Sequence, residues 1–159
     1  MQELLPIAAK LGAILKERQQ TIAIAESSAG GLISAALLSV PGASAYFLGG
    51  AIVYTRESRR MLLDIPDSAF AGMRGVTEPL AKILACGTLK RFSPTWSLAE
   101  VGAAGPTGNR YGDPAGHSCM AVAGPVERSI TIETGSGDRV ANMRAFAAAA
   151  LQLLAQTLG

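Results

Sequence analysis

The fold class this sequence predicts is α/β: a three-layer α/β/α sandwich around a mixed, mostly parallel sheet, as one domain over residues 1–159. Three observations predict it. Short apolar, β-branched runs alternate along the chain with longer stretches of helical period. Gly- and Pro-containing turns punctuate the junctions between them. Apolar residues make up 49% of the chain and aromatic residues only 5%, a balance that favours close helix-on-sheet packing over an aromatic-stacking surface. At this length a single core can bury roughly 70% of the unfolded surface.

The elements follow in order. Residues 3–19, "ELLPIAAKLGAILKERQ", place Leu4, Leu5, Ala8, Leu11 and Leu15 on one helical face. Pro6 is tolerated in the first turn, where its missing N–H has no partner to lose. "TIAIAE" (21–26) is a short strand, "SSAGG" a turn, and "LISAALLSV" (32–40) a helix stopped by Pro41–Gly42. "GGAIVYT" (49–55) reads as a second strand and "RESRRMLL" (56–63) as a short helix, followed by a loop over 64–75. Thr77 heads "TEPLAKILACGTLKRF" as an N-cap with an acidic first turn. "WSLAEVGAAG" supplies a third strand, and "GPTGNRYGDPAG" (105–116) a loop dense in Gly and Pro. "HSCMAVAGP" and "ERSITIETG" form a strand pair about a Gly-Pro turn, which makes the sheet mixed. The chain closes with a helix capped by Ser136 or Asp138.

Composition narrows the function classes. A net charge of +2 is too small to predict nucleic-acid or anionic-membrane binding, and no apolar run reaches the ~20 residues of a membrane span. Cys86 and Cys119 are far apart, with no CxxC and a single histidine, so no metal site is expected. Both thiols read as small buried hydrophobes in a reduced, cytoplasmic setting, and the N-terminus does not read as a signal peptide. No cofactor motif stands out: "AESSAGG" (25–31) has neither GK[ST] nor GxGxxG.

In open α/β sheets ligands collect beyond strand ends, which directs attention to the junctions at 27–31 and 104–116. At the first, the backbone N–H groups of Ala29, Gly30 and Gly31 are placed to meet an anion at a helix start. The same residues serve equally as an ordinary capped helix N-terminus. Arg139 in "SGDR" is placed to reach a phosphate or carboxylate, or to lie on the surface of a capped helix.

Taken together, these segments resemble the C-terminal domain of the competence/damage-inducible protein CinA, over nearly the whole chain. The family's "AESCTGG" appears as "AESSAGG" (25–31), and its "GSSAxFxxGxxxYSNEAK" as "GASAYFLGGAIVYTRESR" (42–59). "GAVSEP" is answered by "RGVTEP" (74–79), "GIAGPxGG" by "GAAGPTGN" (102–109), "KPVG" by "DPAG" (113–116), and "SGDR" is kept at 136–139. Stand-alone relatives are nicotinamide mononucleotide (NMN) deamidases. The resemblance therefore implies a metal-free hydrolysis of the NMN carboxamide to nicotinic acid mononucleotide and ammonia, in a protein that is usually a homodimer.

By position the resemblance assigns the nucleophile to Ser44 and an orienting role to Tyr54, and it puts Arg59 where the family carries its base lysine. Glu26, Ser27, Gly30, Gly31, Gly105 and Arg139 are the matching substrate-binding positions. The arginine departs from the pattern with chemical consequence, because a guanidinium does not give up its proton and so cannot serve as a base. His117, Glu57 or a water is then needed in its place, with loop N–H groups around 29–31 or 105–108 as an oxyanion hole. Three functions remain in view: an amidohydrolase acting on NMN or a related nucleotide, a nucleotide-binding module without turnover, and a dimeric interaction protein. Ser28 and Ala29 replace the family's cysteine and threonine, Val101 replaces a small hydroxyl residue, and Glu100 occupies a usually apolar strand position.

Overall fold

In the computed structural model, which describes residues 1–159, a five-stranded sheet runs in the order β2-β1-β3-β4-β5 between two layers of helices. The strands are β1 (Ile22–Glu26), β2 (Phe47–Ile52), β3 (Trp96–Ala103), β4 (His117–Ala123) and β5 (Arg128–Glu133). The helices are α1 (Leu5–Glu17), α2 (Leu32–Leu38), α3 (Arg56–Leu63), α4 (Glu78–Phe92) and α5 (Arg139–Leu158). The sheet is mixed, as the sequence predicts, but its pairings are evenly divided rather than mostly parallel. β1 pairs in parallel with β2 and β3, whereas β3–β4 and β4–β5 are antiparallel. The Gly-rich loop after β3 returns the chain directly into β4, so no crossover helix is available to keep those strands parallel.

Side-chain alternation divides the core. Ile22 and Ile24 of β1, Leu98 of β3, and Met120 and Val122 of β4 face α1, α2 and α5. Ala25, Ala99, Val101, Cys119 and Ala121 face the opposite way, against Leu80, Leu84 and the rest of the α4 side. Leu4, Ala8, Leu11 and Leu15 are buried as the periodicity requires, but Leu5 is exposed at the start of α1. Thr77 caps α4, and Asp138 rather than Ser136 caps α5, its carboxylate accepting from the Ala141 N–H at 3.0 Å. The second strand begins earlier than expected, at Phe47, and ends at Ile52, which leaves Tyr54 beyond its C-terminal end. None of the helices is long and apolar enough to cross a membrane.

Tyr46, fully buried between α2 and β2, donates its hydroxyl to the Leu37 carbonyl at 2.5 Å. Tyr46→Phe leaves that carbonyl with only the longer bond from the Val40 N–H at 3.4 Å and is expected to cost about 1 kcal/mol, read as a lower urea midpoint at unchanged slope.

Candidate active site

The parallel strands β1, β2 and β3 end together, and a cavity of about 620 Å³ opens beyond their C-terminal ends. Its wall includes Ser27 after β1, Tyr54, Arg56, Glu57 and Arg59 after β2, and Val101 and Gly102 of β3. Phe70, Met73, Gly75, Val76 and Leu80 add to it, with Asn109, Arg110 and Tyr111 from the long loop.

Helix α3 sets the arginines. Thr55 and Ser58 form a reciprocal capping box, with the Ser58 N–H on Thr55 Oγ1 at 3.1 Å and the Thr55 N–H on Ser58 Oγ at 3.0 Å. The helix therefore starts at Arg56, and Arg56 and Arg59, three residues apart, line the same cavity. Arg59 donates through Nε to the Val53 carbonyl at 3.3 Å and lies 5.7 Å from the Phe70 ring centre. Burial, with the nearby Arg56 charge adding to it, pulls the Arg59 pKa down from the usual guanidinium value. Arg110 stacks on Tyr111 and donates to its hydroxyl at 2.7 Å, a bond that lowers the phenol's pKa. Only two ion pairs exist in the whole chain, Arg60–Glu57 and His117–Glu133. Arg56, Arg59 and Arg110 thus face one cavity with no carboxylate partner.

The turn carrying Ser27 is held from behind by two fully buried carboxylates. Glu26 accepts from the N–H groups of Gly31 (2.9 Å), Ile33 (3.0 Å) and Ser34 (2.7 Å), filling the start of α2. Glu100 accepts from the N–H groups of Ser27 (3.1 Å) and Ala29 (2.8 Å) and from the Ser28 and Ser118 hydroxyls. Burial raises the Glu100 pKa against the pull of these donors, and the neighbouring Glu26 charge raises it further. Alternation along β1 turns Glu26 to the α2 face and Ser27 to the opposite, cavity face. Ser27 Oγ makes no intramolecular hydrogen bond, and no buried side-chain polar atom lacks a partner, so this hydroxyl opens to the cavity.

Four of the residues singled out from sequence meet in this cavity: Ser27, Tyr54, Glu57 and Arg59. Ser44 does not join them. It lies exposed in the helical turn Ala43–Ala45 before β2, while Tyr54 and Arg59 lie past the strand's other end. The strand between them separates the two groups by roughly 20 Å, so within one chain Ser44 and Arg59 do not share a cavity. The expected anion nest at 29–31 is also corrected. Its amides are already bonded, Ala29 to Glu100, Gly31 to Glu26 and Gly30 to the Ser27 carbonyl. Glu26 acts as the internal anion of that turn. Gly31, at φ +100°, is the left-handed residue that starts α2, and Gly30 is exposed outside the cavity.

Gly105 and Arg139 are paired with each other instead of lining the cavity. The Arg139 guanidinium donates to the Gly105 carbonyl at 2.6 Å and to the Tyr54 hydroxyl at 3.4 Å, bracing the start of α5 against the loop after β3. His117 is likewise committed elsewhere. Its Nδ1 faces Glu133 Oε1 at 3.0 Å and its Nε2 faces the Val76 carbonyl at 2.9 Å. The residues missed by sequence reasoning are Arg56, Arg110 and the 73–76 wall. The loop composition at 105–116 pointed to Arg110, and the i, i+3 spacing from Arg59 pointed to Arg56. The family motif at 74–79 covers Gly75 and Val76 but assigns them no role, and nothing in the sequence marked Met73.

An α/β/α domain with a cationic, hydroxyl-bearing cavity beyond its parallel strand ends defines the class, an α/β sandwich with its site at the strand C-termini. The chain belongs to a particular family within it, the CinA C-terminal domain, whose model matches residues 4–158. A CinA-like protein of Synechococcus sp. (strain CC9902) is 42% identical over 118 residues, covering 74% of this chain and 28% of that protein. A CinA-like protein of Chlorobium limicola is 37% identical over 147 residues, covering 89% of this chain and 34% of that protein. The chain thus spans about a third of the length of these curated relatives. In fold, it matches the crystal structure of a CinA superfamily protein from Escherichia coli with a TM-score of 0.90 at 23% identity, over 97% of this chain and 90% of that one. The competence/damage inducible protein CihA from Agrobacterium tumefaciens gives a TM-score of 0.89 at 25% identity, over 96% and 94%.

His117 gives the cavity wall a pH dependence. Both ring nitrogens meet acceptors, and only the imidazolium carries two N–H donors. Burial opposes the charge, but the bonds to Val76 and Glu133 and the charges of Asp113 and Glu133 outweigh it and raise the pKa above the ordinary 6.5. A raised folded-state pKa means that the stabilisation is complete below the unfolded value and is lost as pH rises through the folded one. Urea unfolding followed from roughly pH 6 to pH 9 is expected to show declining stability in the wild type and a flatter profile in His117→Gln.

Proposed function

We propose that the cavity binds a pyridine mononucleotide by its phosphate and hydrolyses its carboxamide, with NMN as the substrate and Ser27 as the nucleophile. The observation that carries this reading is the trio of unpaired arginines, Arg56, Arg59 and Arg110, around a cavity whose free hydroxyl is Ser27. Three guanidiniums without counter-ions suit a dianionic phosphate, and Arg donates to phosphate oxygens in a planar fork. The aromatic rings of Tyr54, Phe70 and Tyr111 and the apolar Val76, Leu80 and Val101 offer a surface for the pyridine ring.

Ser27 Oγ forms a bond to the carboxamide carbon, and the carbonyl π pair moves onto oxygen beside the guanidinium of Arg59. The Ser27 proton passes to the Glu57 carboxylate, the one carboxylate lining the cavity. Collapse of the tetrahedral adduct breaks the C–N bond, and the nitrogen leaves as ammonia with that proton. A water then cleaves the acyl-serine, releasing the carboxylate product and restoring Ser27. Glu57 is paired with Arg60, a contact that competes with its reach to Ser27 and predicts slow turnover.

A second reading, a nucleotide-binding module without turnover, is favoured by the absence of any lysine or histidine from the cavity lining. Calorimetry with NMN beside an ammonia-release assay separates the two, since binding without ammonia selects the module. Arg56→Ala and Arg110→Ala are each expected to weaken NMN binding about tenfold, in keeping with the loss of a charged hydrogen bond. In the ammonia assay Ser27→Ala is expected to lower turnover by about 10² or more, and Ser44→Ala, a surface change, to stay within about twofold of wild type. Arg59→Lys, which restores a group able to accept a proton, is expected to raise turnover by about 10²–10⁴. Wild-type activity in Ser27→Ala removes the mechanism.

A further inference from the structure

We infer that Glu100 is the positioning residue for the cavity serine, a buried carboxylate that fixes Ser27 from the opposite face of the sheet by accepting its backbone N–H and that of Ala29. The inference rests on the proposed role of Ser27 and extends it to a residue with no contact to the cavity.

Glu100 sits in the middle of β3, between Ala99 and Val101, both of which face α4. Alternation sends its side chain the other way, beneath the 27–31 turn. It is completely buried and has no cation beside it, and the one nearby charge is another carboxylate, Glu26. Such a group is costly to bury unless its oxygens are saturated by donors. They are. Oε2 takes the N–H groups of Ser27 at 3.1 Å and Ala29 at 2.8 Å, and Oε1 takes the Ser28 hydroxyl and, at 3.2 Å, the Ser118 hydroxyl. The Ser118 hydroxyl also lies 3.0 Å from the Val101 carbonyl, so its single proton serves either acceptor.

The consequence for Ser27 is geometric. The peptide joining Glu26 to Ser27 is gripped at both ends, its N–H by Glu100 and its carbonyl by the Val53 N–H at 2.6 Å. On the other side the Ser27 carbonyl accepts the Gly30 N–H at 3.2 Å, so both peptide planes flanking Ser27 are held, and the side chain is directed to the cavity. Gly102 makes room for the arrangement, since a Cβ there would lie 2.5 Å from Ser28 Oγ and 2.9 Å from the Phe146 ring. Ser28 and Glu100 fit each other as donor and acceptor, and they are two of the positions at which this chain departs from the family pattern.

Hydrogen–deuterium exchange of the Ser27 and Ala29 amides, read beside kcat and KM for NMN, tests the assignment. Glu100→Gln keeps an oxygen for the two amides while its NH₂ meets the rotatable hydroxyls, and is expected to hold exchange and kcat within about threefold of wild type. Glu100→Val removes the acceptor and is expected to speed exchange at Ala29 by about tenfold or more. The same variant should lower kcat about tenfold while KM, set by the arginines, changes little. Should the valine variant not fold, Glu100→Asp, which withdraws the carboxylate by one bond length, carries the same expectation. Unchanged Ala29 exchange in Glu100→Val, or a Gln variant as impaired as the Val variant, overturns the inference. If the wild type releases no ammonia from NMN, the deamidase reading fails by itself, and the exchange results still decide the role of Glu100.

Discussion

Two carboxylates buried without a counter-cation hold the turn on which the rest of the site depends. Glu26 and Glu100 together accept five backbone N–H groups between residues 27 and 34, the donors that a strand-to-helix turn would otherwise leave for water or a ligand. A conventional nucleotide-binding turn leaves those donors open and lets the phosphate fill them. Here the protein supplies its own acceptors, and the phosphate of the proposed ligand falls to the side chains on the opposite face of the sheet.

That displacement explains the arginines. Once the helix-start amides are internally occupied, positive potential for an anion has to come from elsewhere, and α3 and the 105–116 loop provide it. The capping box at Thr55 and Ser58 fixes where α3 begins, which brings Arg56 and Arg59 to the cavity and sends Arg60 to pair with Glu57. On the far wall, Asp113 accepts from the Val76 N–H at 2.7 Å and from Asn109 Nδ2 at 2.6 Å, tying the 73–76 segment to the loop that carries Arg110. His117 holds Val76 by its carbonyl. The cavity is therefore braced by short-range polar contacts around Val76, while its floor is the buried strand ends of β1 and β3.

The element order, the caps on α4 and α5 and the strand pair at 117–133 were legible because each rests on local patterning: alternation, period and capping chemistry. Strand direction was less so. Parallel or antiparallel pairing after β3 depends on whether the Gly-rich loop crosses the sheet or turns back, and composition does not encode that choice. The family resemblance located the right segments but grouped their residues by motif, and motif order does not report which end of a strand a residue occupies. Ser44 and Tyr54 lie in one motif, yet β2 runs between them and carries them to opposite ends of the sheet. Glu26 and the 29–31 amides were legible as parts of a binding turn. That they satisfy one another, with Glu100 completing the set, depends on contacts such as that between Ala29 and Glu100, 71 residues apart in the chain.

In the proposed binding mode a ligand anion meets side chains of α3 and the long loop while the reacting carbonyl meets Ser27. A crystal structure of the Ser27→Ala protein soaked with NMN tests it most directly. Phosphate density is expected among Arg56, Arg59 and Arg110, with the carboxamide carbon within about 3–4 Å of the methyl group that replaces the serine hydroxymethyl. Phosphate density on the amides of residues 29–31, or NMN seated beside Ser44 at the other end of β2, would contradict it.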